Sequence, residues 1–262
     1  MPNRISPQGR PKKSLGQHFL QDENVARRIA DALKSENIRQ VFEIGAGTGV
    51  LTRYLFERTN IHLTAVEIDL ENVHVLREEF PQYRDQILHQ DALRYPLTSQ
   101  TGEHIAVIGN FPYNISSQLF FRILEYRNDV QEVVCMIQKE VAERIAAPPG
   151  SKTYGILSVL LQSYYNIEYL FTVSPNVFYP KPKVHSAVIR LTRNSTGRLA
   201  CDEVLFFRVV KTCFNHRRKI IRNTVKSIVG EITKEYNLLY KRPEQLSTDQ
   251  FVELTRWVQD QV

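Results

Sequence analysis

One short segment combines residue types that suit chemistry on the exocyclic amine of a nucleobase: Asn110, Phe111, Pro112 and Tyr113. The adenine N6 lone pair is delocalised into the ring, which makes N6 a poor nucleophile. Two acceptors for the amine hydrogens, the Asn110 side-chain oxygen and the Phe111 carbonyl, would draw the nitrogen toward tetrahedral geometry and free the lone pair. Pro112 fixes the turn, and Tyr113 offers a stacking face worth about 1–3 kcal/mol. The alternative is an ordinary turn after a strand.

A second candidate is the glycine-rich turn EIGAGTG at residues 43–49. Glycines there permit a sharp turn and a close approach of the backbone to a ligand. Glu67 and Asp91 end the next two predicted strands, at the edge where open α/β sheets bind ligands. We expect Glu67 to accept both ribose hydroxyls of a nucleoside and Asp91 to accept from an adenine amino group. The alternative is that both acids only cap helices.

The elements that must position these side chains alternate between strand and helix patterns. Short apolar runs predict strands at 41–44, 61–68, 87–91, 105–110 and 130–138. Helical patterns occur at 50–58, 71–80, 139–147 and 156–165. This alternation predicts an α/β fold with a parallel sheet and helices on both faces. Two late strands, 167–174 and 184–193, predict an antiparallel hairpin at the sheet edge.

The charge of the chain, +6 in total, is unevenly distributed. Residues 1–20 carry +4 and residues 181–242 carry +11, whereas residues 21–180 carry −6 and residues 243–262 carry −3. Basic flanks are expected of a protein that binds a polyanion, and we favour nucleic acid over an acidic membrane surface. After a polar linker at 194–197 the pattern is helical only. One helix over 202–229 is predicted, with an apolar side and a basic side.

Composition excludes several classes of protein. The chain has 262 residues, 42% hydrophobic and 24% charged, so disordered, collagenous and disulfide-stapled proteins do not fit. No apolar run approaches the roughly 18 residues of a membrane span, and the basic N-terminus lacks a signal-peptide core. The three cysteines are scattered, which indicates a reducing cytoplasm and argues against a structural zinc site. We therefore predict no metal.

Several motifs, in this order and spacing, resemble the ribosomal RNA adenine N6,N6-dimethyltransferases, the kasugamycin-sensitivity type of bacteria. They are GQHFL (16–20), EIGAGTG (43–49), VEID (66–69), QDAL (90–93), NFPYNIS (110–116), VFYPKPKVHS (177–186) and CFNHRRKIIRN (213–223). The resemblance implies a class-I, Rossmann-like methyltransferase fold with a seven-stranded, mostly parallel sheet and a small all-helical C-terminal domain. We expect a basic arm over 1–20, a catalytic domain over 21–195 and an RNA-binding domain over 196–262.

The resemblance also implies an activity. Members use S-adenosylmethionine to dimethylate two adjacent adenosines in a hairpin loop near the 3′ end of small-subunit (16S) rRNA, late in subunit assembly. We therefore expect the assembling small subunit and its rRNA as partners, a monomer, no membrane and a cytoplasmic location. A flipped base is needed for such chemistry, and an unpaired loop adenosine makes flipping easier.

Residue roles carry over from the family to matching positions. The cofactor is assigned to His18, Leu20, Gly45, Glu67, Asp91 and Asn110. His18 and Leu20 would close over it from the N-terminal arm, and Gly45 would lie against its methionine part. Asn110 would contact both cofactor and target amine, beside Pro112. Tyr113 and Phe178 would sandwich the target adenine.

Two of these positions have alternatives. His18 stands where many members carry Asn, so the match there rests largely on backbone contacts, and His18 also fits a surface or capping role. Phe178 also fits a core aromatic. The residues expected to bind RNA are cations of the arm, of the stiff VFYPKPKV loop and of the helix bearing HRRK: Lys12, Lys13, Lys181, Lys183, Arg217, Arg218, Lys219 and Arg222.

Four other classes of protein share some of these features. The nearest is a macrolide-resistance methyltransferase of large-subunit rRNA, which has similar motifs and a different helical appendage. A non-catalytic RNA-binding assembly factor would not need the amine-polarising pair at Asn110. A DNA adenine methyltransferase would more often carry Asp at that position. An NAD-dependent dehydrogenase fails on the glycine spacing, since its fingerprint has two residues between the last two glycines.

Overall fold

Strands and crossover helices alternate along most of the chain in the computed structural model, which describes residues 11–34, 37–99 and 102–261. The strands are β1 (Phe19–Leu20), β2 (Gln40–Ile44), β3 (His62–Glu67), β4 (Ile87–His89), β5 (Ile105–Asn110), β6 (Val130–Gln138), β7 (Tyr165–Val173), β8 (Phe178–Tyr179) and β9 (Ser186–Arg193). The α-helices are α1 (Glu23–Ala32), α2 (Val50–Phe56), α3 (Leu70–Glu79), α4 (Ser116–Glu125), α5 (Lys139–Ala146), α6 (Ile156–Gln162), α7 (Glu203–Asn215), α8 (Ile221–Val229) and α9 (Thr248–Gln259). Short 3-10 helices occur at Lys13–Leu15, Pro81–Gln86, Pro175–Val177, Asn237–Tyr240 and Pro243–Gln245.

The main sheet has seven strands in the order β4-β3-β2-β5-β6-β9-β7. The five strands from β4 to β6 are parallel to their neighbours, and β9 is antiparallel to β6. The predicted mostly parallel sheet is therefore confirmed. The two late strands, β9 and β7, lie side by side at one edge of it, as expected.

The strand order reverses direction between β2 and β5, and this reversal positions the candidate site. From β2 the chain proceeds outward through β3 to β4, then returns to place β5 on the other side of β2. In the register, Glu43 lies opposite both Ala65 and Ile108. The carboxyl ends of β2, β3 and β5 therefore meet at one edge, the usual ligand position in such sheets.

The central strands are apolar along nearly their whole length because a parallel sheet is covered on both faces. Val41, Phe42 and Ile44 of β2 are each at most 2% exposed. Helix α1 begins after Asp22, whose carboxylate accepts from the backbone N–H groups of Asn24 and Val25. A side-chain cap of this kind satisfies N–H groups that have no partner within the helix.

The chain forms two compact units. The first contains the described residues up to Ala142 together with Glu168–Thr192, and the second contains Glu143–Ile167 and the residues from Arg193 onward. The second is largely helical, with α6, α7, α8 and α9 packed against one another. The division into 1–20, 21–195 and 196–262 stays a prediction about functional parts, and the first ten residues of the arm lie outside the described residues.

The prediction of one helix over 202–229 is wrong. Helix α7 ends at Asn215, His216 leaves the helical region with φ −118° and ψ 39°, and α8 begins at Ile221. The break allows α8 to pack against α7, which one continuous helix could not do. The predicted helix over 156–165 is also too long, because α6 ends at Gln162 and β7 begins at Tyr165.

Candidate active site

A concave cavity opens at the carboxyl ends of the strands, where open α/β sheets bind their ligands. Seven of the predicted site residues line it: His18, Gly45, Glu67, Asp91, Asn110, Pro112 and Tyr113. Leu20 lines a smaller adjoining cavity that shares Gly45 and Asn110 with the first. The structure therefore brings together residues from five separate sequence motifs.

The glycine turn after β2 has a backbone that other residues rarely adopt. Gly45 has φ +72° and Gly49 has φ +86°, both in the left-handed region. A Cβ on Gly49 would come within 2.9 Å of the side chains of Leu76 and Phe80. The first glycine thus lines the cavity, and the last allows the start of α2 to pack closely against α3 and Phe80.

Glu67, at the end of β3, already holds the glycine turn in place. Its Oε2 accepts from the Gly47 N–H at 2.7 Å, and its Oε1 accepts from the Asp69 N–H at 2.8 Å. The side chain is almost completely buried, and burial raises the pKa of its carboxyl although these hydrogen bonds act in the opposite direction. Each oxygen has a second lone pair that a ribose hydroxyl can use. This second role of Glu67 was not foreseen from the sequence.

Asp91 lies just after β4, on the same cavity and closer to solvent. Its Oδ1 accepts from the Leu93 N–H at 2.9 Å. The Arg94 guanidinium is 3.6 Å from its Oδ2 and remains largely exposed. The carboxylate is thus held in one orientation by the backbone, which suits an acceptor for an adenine amino group.

Asn110 ends β5 with its side-chain amide in a defined orientation. Its Nδ2 donates to the His18 carbonyl at 3.0 Å. Because a carbonyl only accepts, this contact assigns the amide nitrogen and leaves Oδ1 as the acceptor end. The next residue, Phe111, donates its N–H to the Met136 carbonyl at 3.0 Å, which fixes the backbone of the reaction segment.

The Tyr113 ring stands over the cavity beside the His18 ring, with 5.4 Å between their centroids. Its hydroxyl is 2.5 Å from Oγ of Ser186, the first residue of β9. Phe178, in contrast, is 4% exposed and packs in the apolar core with Leu20 and Val188. Phe178 is not among the residues that line the cavity in the described structure, so its pairing with Tyr113 around a base stays a prediction.

The N-terminal segment 12–20 closes one side of the cavity through contacts that the sequence did not reveal. Lys12 Nζ is 2.7 Å from Asp69 Oδ1 and 3.2 Å from Glu71 Oε1. Gln17 donates from Nε2 to Asp69 Oδ2 at 3.1 Å. Gln17 and Asp69 both belong to matched motifs, GQHFL and VEID, but their pairing joins positions 52 residues apart.

The eight cations predicted to bind RNA fall into two groups. Five are exposed: Lys13, Lys181, Lys183, Arg218 and Lys219. The others have partners within the protein. Lys12 pairs with Asp69, Arg222 lies 2.5 Å from Glu235, and Arg217 donates to the Ser151 carbonyl at 3.2 Å. The helix break also places Arg217, Arg218 and Lys219 in the turn between α7 and α8, not on one helix with Arg222. Their roles in RNA binding stay predictions.

Two further findings concern features that are absent from the described residues. Across 11–34, 37–99 and 102–261, no group of His, Cys, Asp and Glu side chains is arranged to hold a metal ion. Within the same ranges, no helix combines the length and the apolar character needed to cross a membrane.

The sheet order and the cavity at its switch point define a class-I methyltransferase fold. Solved structures share this fold. A dimethyladenosine transferase from Plasmodium falciparum superposes with a TM-score of 0.78 at 21% identity, covering 93% of this chain and 98% of that one. The 23S rRNA methyltransferase ErmE superposes with a TM-score of 0.68 at 25% identity, covering 91% and 99%.

The chain belongs to the ribosomal RNA adenine dimethylase family, whose model matches residues 9–260. It is 54% identical over 248 residues to the ribosomal RNA small subunit methyltransferase A of Parabacteroides distasonis, covering 94% of this chain and 93% of that protein. It is 52% identical over 255 residues to the protein of the same name from Bacteroides thetaiotaomicron, covering 96% and 95%. The chain is thus an rRNA adenine dimethylase that uses S-adenosylmethionine.

Proposed function

We propose that the enzyme dimethylates N6 of two adjacent adenosines in the hairpin loop near the 3′ end of 16S rRNA, late in assembly of the small subunit. It would act in the cytoplasm as a monomer. The observation that carries this proposal is the orientation of Asn110, whose amide nitrogen is bound by the His18 carbonyl. The names of the relatives more than 50% identical support the choice of subunit.

The residues around the cavity fit S-adenosylmethionine. Gly45 and Gly47 both have positive φ, so a side chain at either would strain the turn, and a Cβ on Gly47 would also lie 3.3 Å from the Phe19 ring. Glu67 and Asp91 supply acceptors for ribose hydroxyls and for an adenine amino group, and their strands put them at one edge. When bound, the cofactor supplies an electrophilic methyl group on a sulfonium.

Asn110 and Phe111 prepare the target nitrogen for attack. The Asn110 Oδ1 and the Phe111 carbonyl would accept the two N6 hydrogens, which draws electron density back onto nitrogen. Tyr113 would hold the adenine ring by stacking, and its contact with Ser186 restricts the orientation of the tyrosine ring. Positioning of this kind is the main contribution of the protein to the rate. Methylation makes the nitrogen acidic, so its proton can leave to water.

Exposed cations would hold the RNA while the target base enters the cavity. Lys181 and Lys183 lie on the loop after β8, and Arg218 and Lys219 lie in the turn after α7. Each phosphate contact releases counterions, so binding should weaken steeply with salt. An adenosine in a hairpin loop is already unpaired, which lowers the free energy needed to extrude it.

The direct test is methyl transfer to purified ribosomal subunits. Unmethylated small subunits, matched large subunits and labelled S-adenosylmethionine are incubated with the protein, and the rRNA is digested to nucleosides. We expect N6,N6-dimethyladenosine from the small subunit alone. Label on the large subunit would indicate the macrolide-resistance type of activity. Cofactor binding without transfer to either subunit, or to an assembly intermediate, would indicate a binding protein.

A further inference from the structure

Tyr179 is an aromatic residue on the surface of the first unit to which the reaction assigns no role. Strand β8 has two residues, and successive side chains of a strand point to opposite faces. Phe178 accordingly packs into the core at 4% exposure, whereas Tyr179 is 51% exposed. A single exposed tyrosine is ordinary by itself, so its surroundings must decide whether it has a function.

Tyr179 lies next to the contacts around the proposed pocket for the target base. In the β1–β8 pair, Tyr179 lies opposite Phe19. The following residue, Pro180, has its carbonyl oxygen 2.6 Å from Nδ1 of His18. The His18 ring in turn stands 5.4 Å from the Tyr113 ring. Tyr179 is therefore connected to Tyr113, the proposed stacking residue, through the adjacent Pro180 and the His18 side chain.

The segment around Tyr179 is basic and exposed. Residues 174–185 contain no Asp or Glu. Lys181 and Lys183 are exposed, and Val184 is 44% exposed. An exposed aromatic ring beside cations that can reach phosphates is the combination with which proteins bind single-stranded nucleic acid, since every base has a face that can stack.

We propose that Tyr179 stacks on the nucleotide adjacent to the target adenosine in the RNA strand. The inference rests on the proposed function, which supplies a single-stranded loop with two adjacent adenosines. When one adenosine enters the cavity it leaves the base stack, and its neighbour loses a stacking partner. The Tyr179 ring replaces that partner, and Lys181 and Lys183 hold the phosphates on either side. Because the two adenosines are adjacent, the Tyr179 ring stacks on the second when the first is in the cavity, and on the first when the second is in the cavity.

The test separates stacking from charge by the salt dependence of RNA binding. Binding to unmethylated small subunits is measured from 50 to 200 mM KCl for wild type, Tyr179→Ala, Tyr179→Phe and Lys181→Ala. We expect Tyr179→Ala to weaken binding about 5- to 150-fold at every salt concentration, with the slope of log K against log salt unchanged. Tyr179→Phe keeps the ring and should bind like wild type. Lys181→Ala should instead reduce the slope by about 0.7–0.9.

Controls make the result specific. Tyr169→Ala removes another exposed tyrosine, on the edge strand β7, and should leave binding unchanged. Affinity for S-adenosylmethionine should be the same in all Tyr179 variants. The inference is overturned if Tyr179→Ala binds RNA like wild type, if Tyr179→Phe loses as much as Tyr179→Ala, or if cofactor affinity falls in parallel. Failure of the proposed function appears separately, as absence of transfer by the wild-type protein to small subunits.

Discussion

The Asn110 side chain donates from Nδ2 to the backbone carbonyl of His18 across 3.0 Å, so the N-terminal segment orients the side chain at the end of β5. Residue 18 makes this bond through its backbone. Its side chain instead contacts the Pro180 carbonyl and the Tyr113 ring. The orientation of Asn110 is therefore compatible with either His or Asn at position 18, which accounts for the difference from many family members.

Replacing Asn110 should greatly slow methyl transfer and spare RNA binding. Asn110→Ala removes one of the two acceptors for the amine hydrogens, and we expect transfer to fall by roughly 100- to 1000-fold, as for loss of one preorganised polar group in other enzymes. Single-turnover transfer to small subunits measures the effect. RNA affinity should stay within about twofold of wild type. Equal losses in transfer and RNA affinity would contradict the role of Asn110 in the reaction.

Two roles are proposed for Lys12: it anchors the N-terminal segment 12–20, or it contacts RNA. The ion pair with Asp69 predicts that Lys12→Ala loosens residues 13–18, so amide hydrogen exchange there should accelerate and cofactor affinity should fall. The RNA role predicts a smaller salt slope without those changes. Lys13→Ala is the matched control for hydrogen exchange and cofactor affinity, because Lys13 is the exposed neighbour. Unchanged exchange in Lys12→Ala would show that the ion pair does not hold the segment.

Glu43 should make stability depend on pH. Burial raises the pKa of its carboxyl from the ordinary 4.5 to about 8, so the folded protein keeps a proton that the unfolded chain releases. Stability from this group is therefore complete below about pH 4.5 and is lost as pH rises toward 8. Glu43→Gln cannot titrate. Relative to wild type, the free energy of unfolding of Glu43→Gln should therefore rise by on the order of 3 kcal/mol between pH 5 and pH 8.

Urea titrations at constant ionic strength measure that difference for Glu43→Gln. Glu244→Gln is a suitable comparison, since its side chain is in the second unit and also partly buried. Parallel stability curves for wild type and Glu43→Gln across pH 5–8 would show that Glu43 titrates alike in the folded and unfolded states.

The exposed cations of the turn after α7 should contribute more to RNA binding than the paired ones. Arg218→Ala with Lys219→Ala should reduce the salt slope by about 1.4–1.8, the value for two phosphate contacts. Arg222→Ala should change it less, because Arg222 is held by Glu235 at 2.5 Å. Binding to small subunits across KCl concentrations decides the matter. If the double variant keeps the wild-type salt slope, the turn after α7 does not contact the RNA phosphates.

Gly109→Ala should destabilise the fold next to the reaction segment. A Cβ at Gly109 would lie 2.3 Å from the Ile44 carbonyl oxygen on the neighbouring strand β2, so the strands must separate. Overpacking of this kind costs typically 1–3 kcal/mol, measurable as a lower urea midpoint. Gly197→Ala is the control, since a Cβ there meets no atom within 4 Å. Equal midpoints for the two variants would contradict the close approach.

The arrangement of Gly45, Glu67, Asp91 and Asn110 was predictable because all four lie at carboxyl ends of parallel strands, and those ends share an edge. What local patterns could not indicate were contacts between distant parts of the chain. The Lys12–Asp69 pair is one, and the burial of Phe178 against Leu20 is another. The helix break at His216 is a third, because the apolar periodicity of α7 and α8 is nearly continuous across it and only packing of α8 against α7 requires it.

The two backbone bonds of Glu67 have a consequence for turnover. The Glu67 carboxylate holds the backbone N–H groups of Gly47 and Asp69 in the folded protein. The conformational entropy of this turn is therefore lost on folding and not at each catalytic cycle. In the proposed binding mode Glu67 accepts from the ribose hydroxyls of the nucleoside half, which the methyl donor shares with its demethylated product. The contribution of Glu67 to affinity should therefore be similar for the methyl donor and for its demethylated product. Accumulated product should compete strongly with the donor, and release of product should limit the steady-state rate when RNA is plentiful.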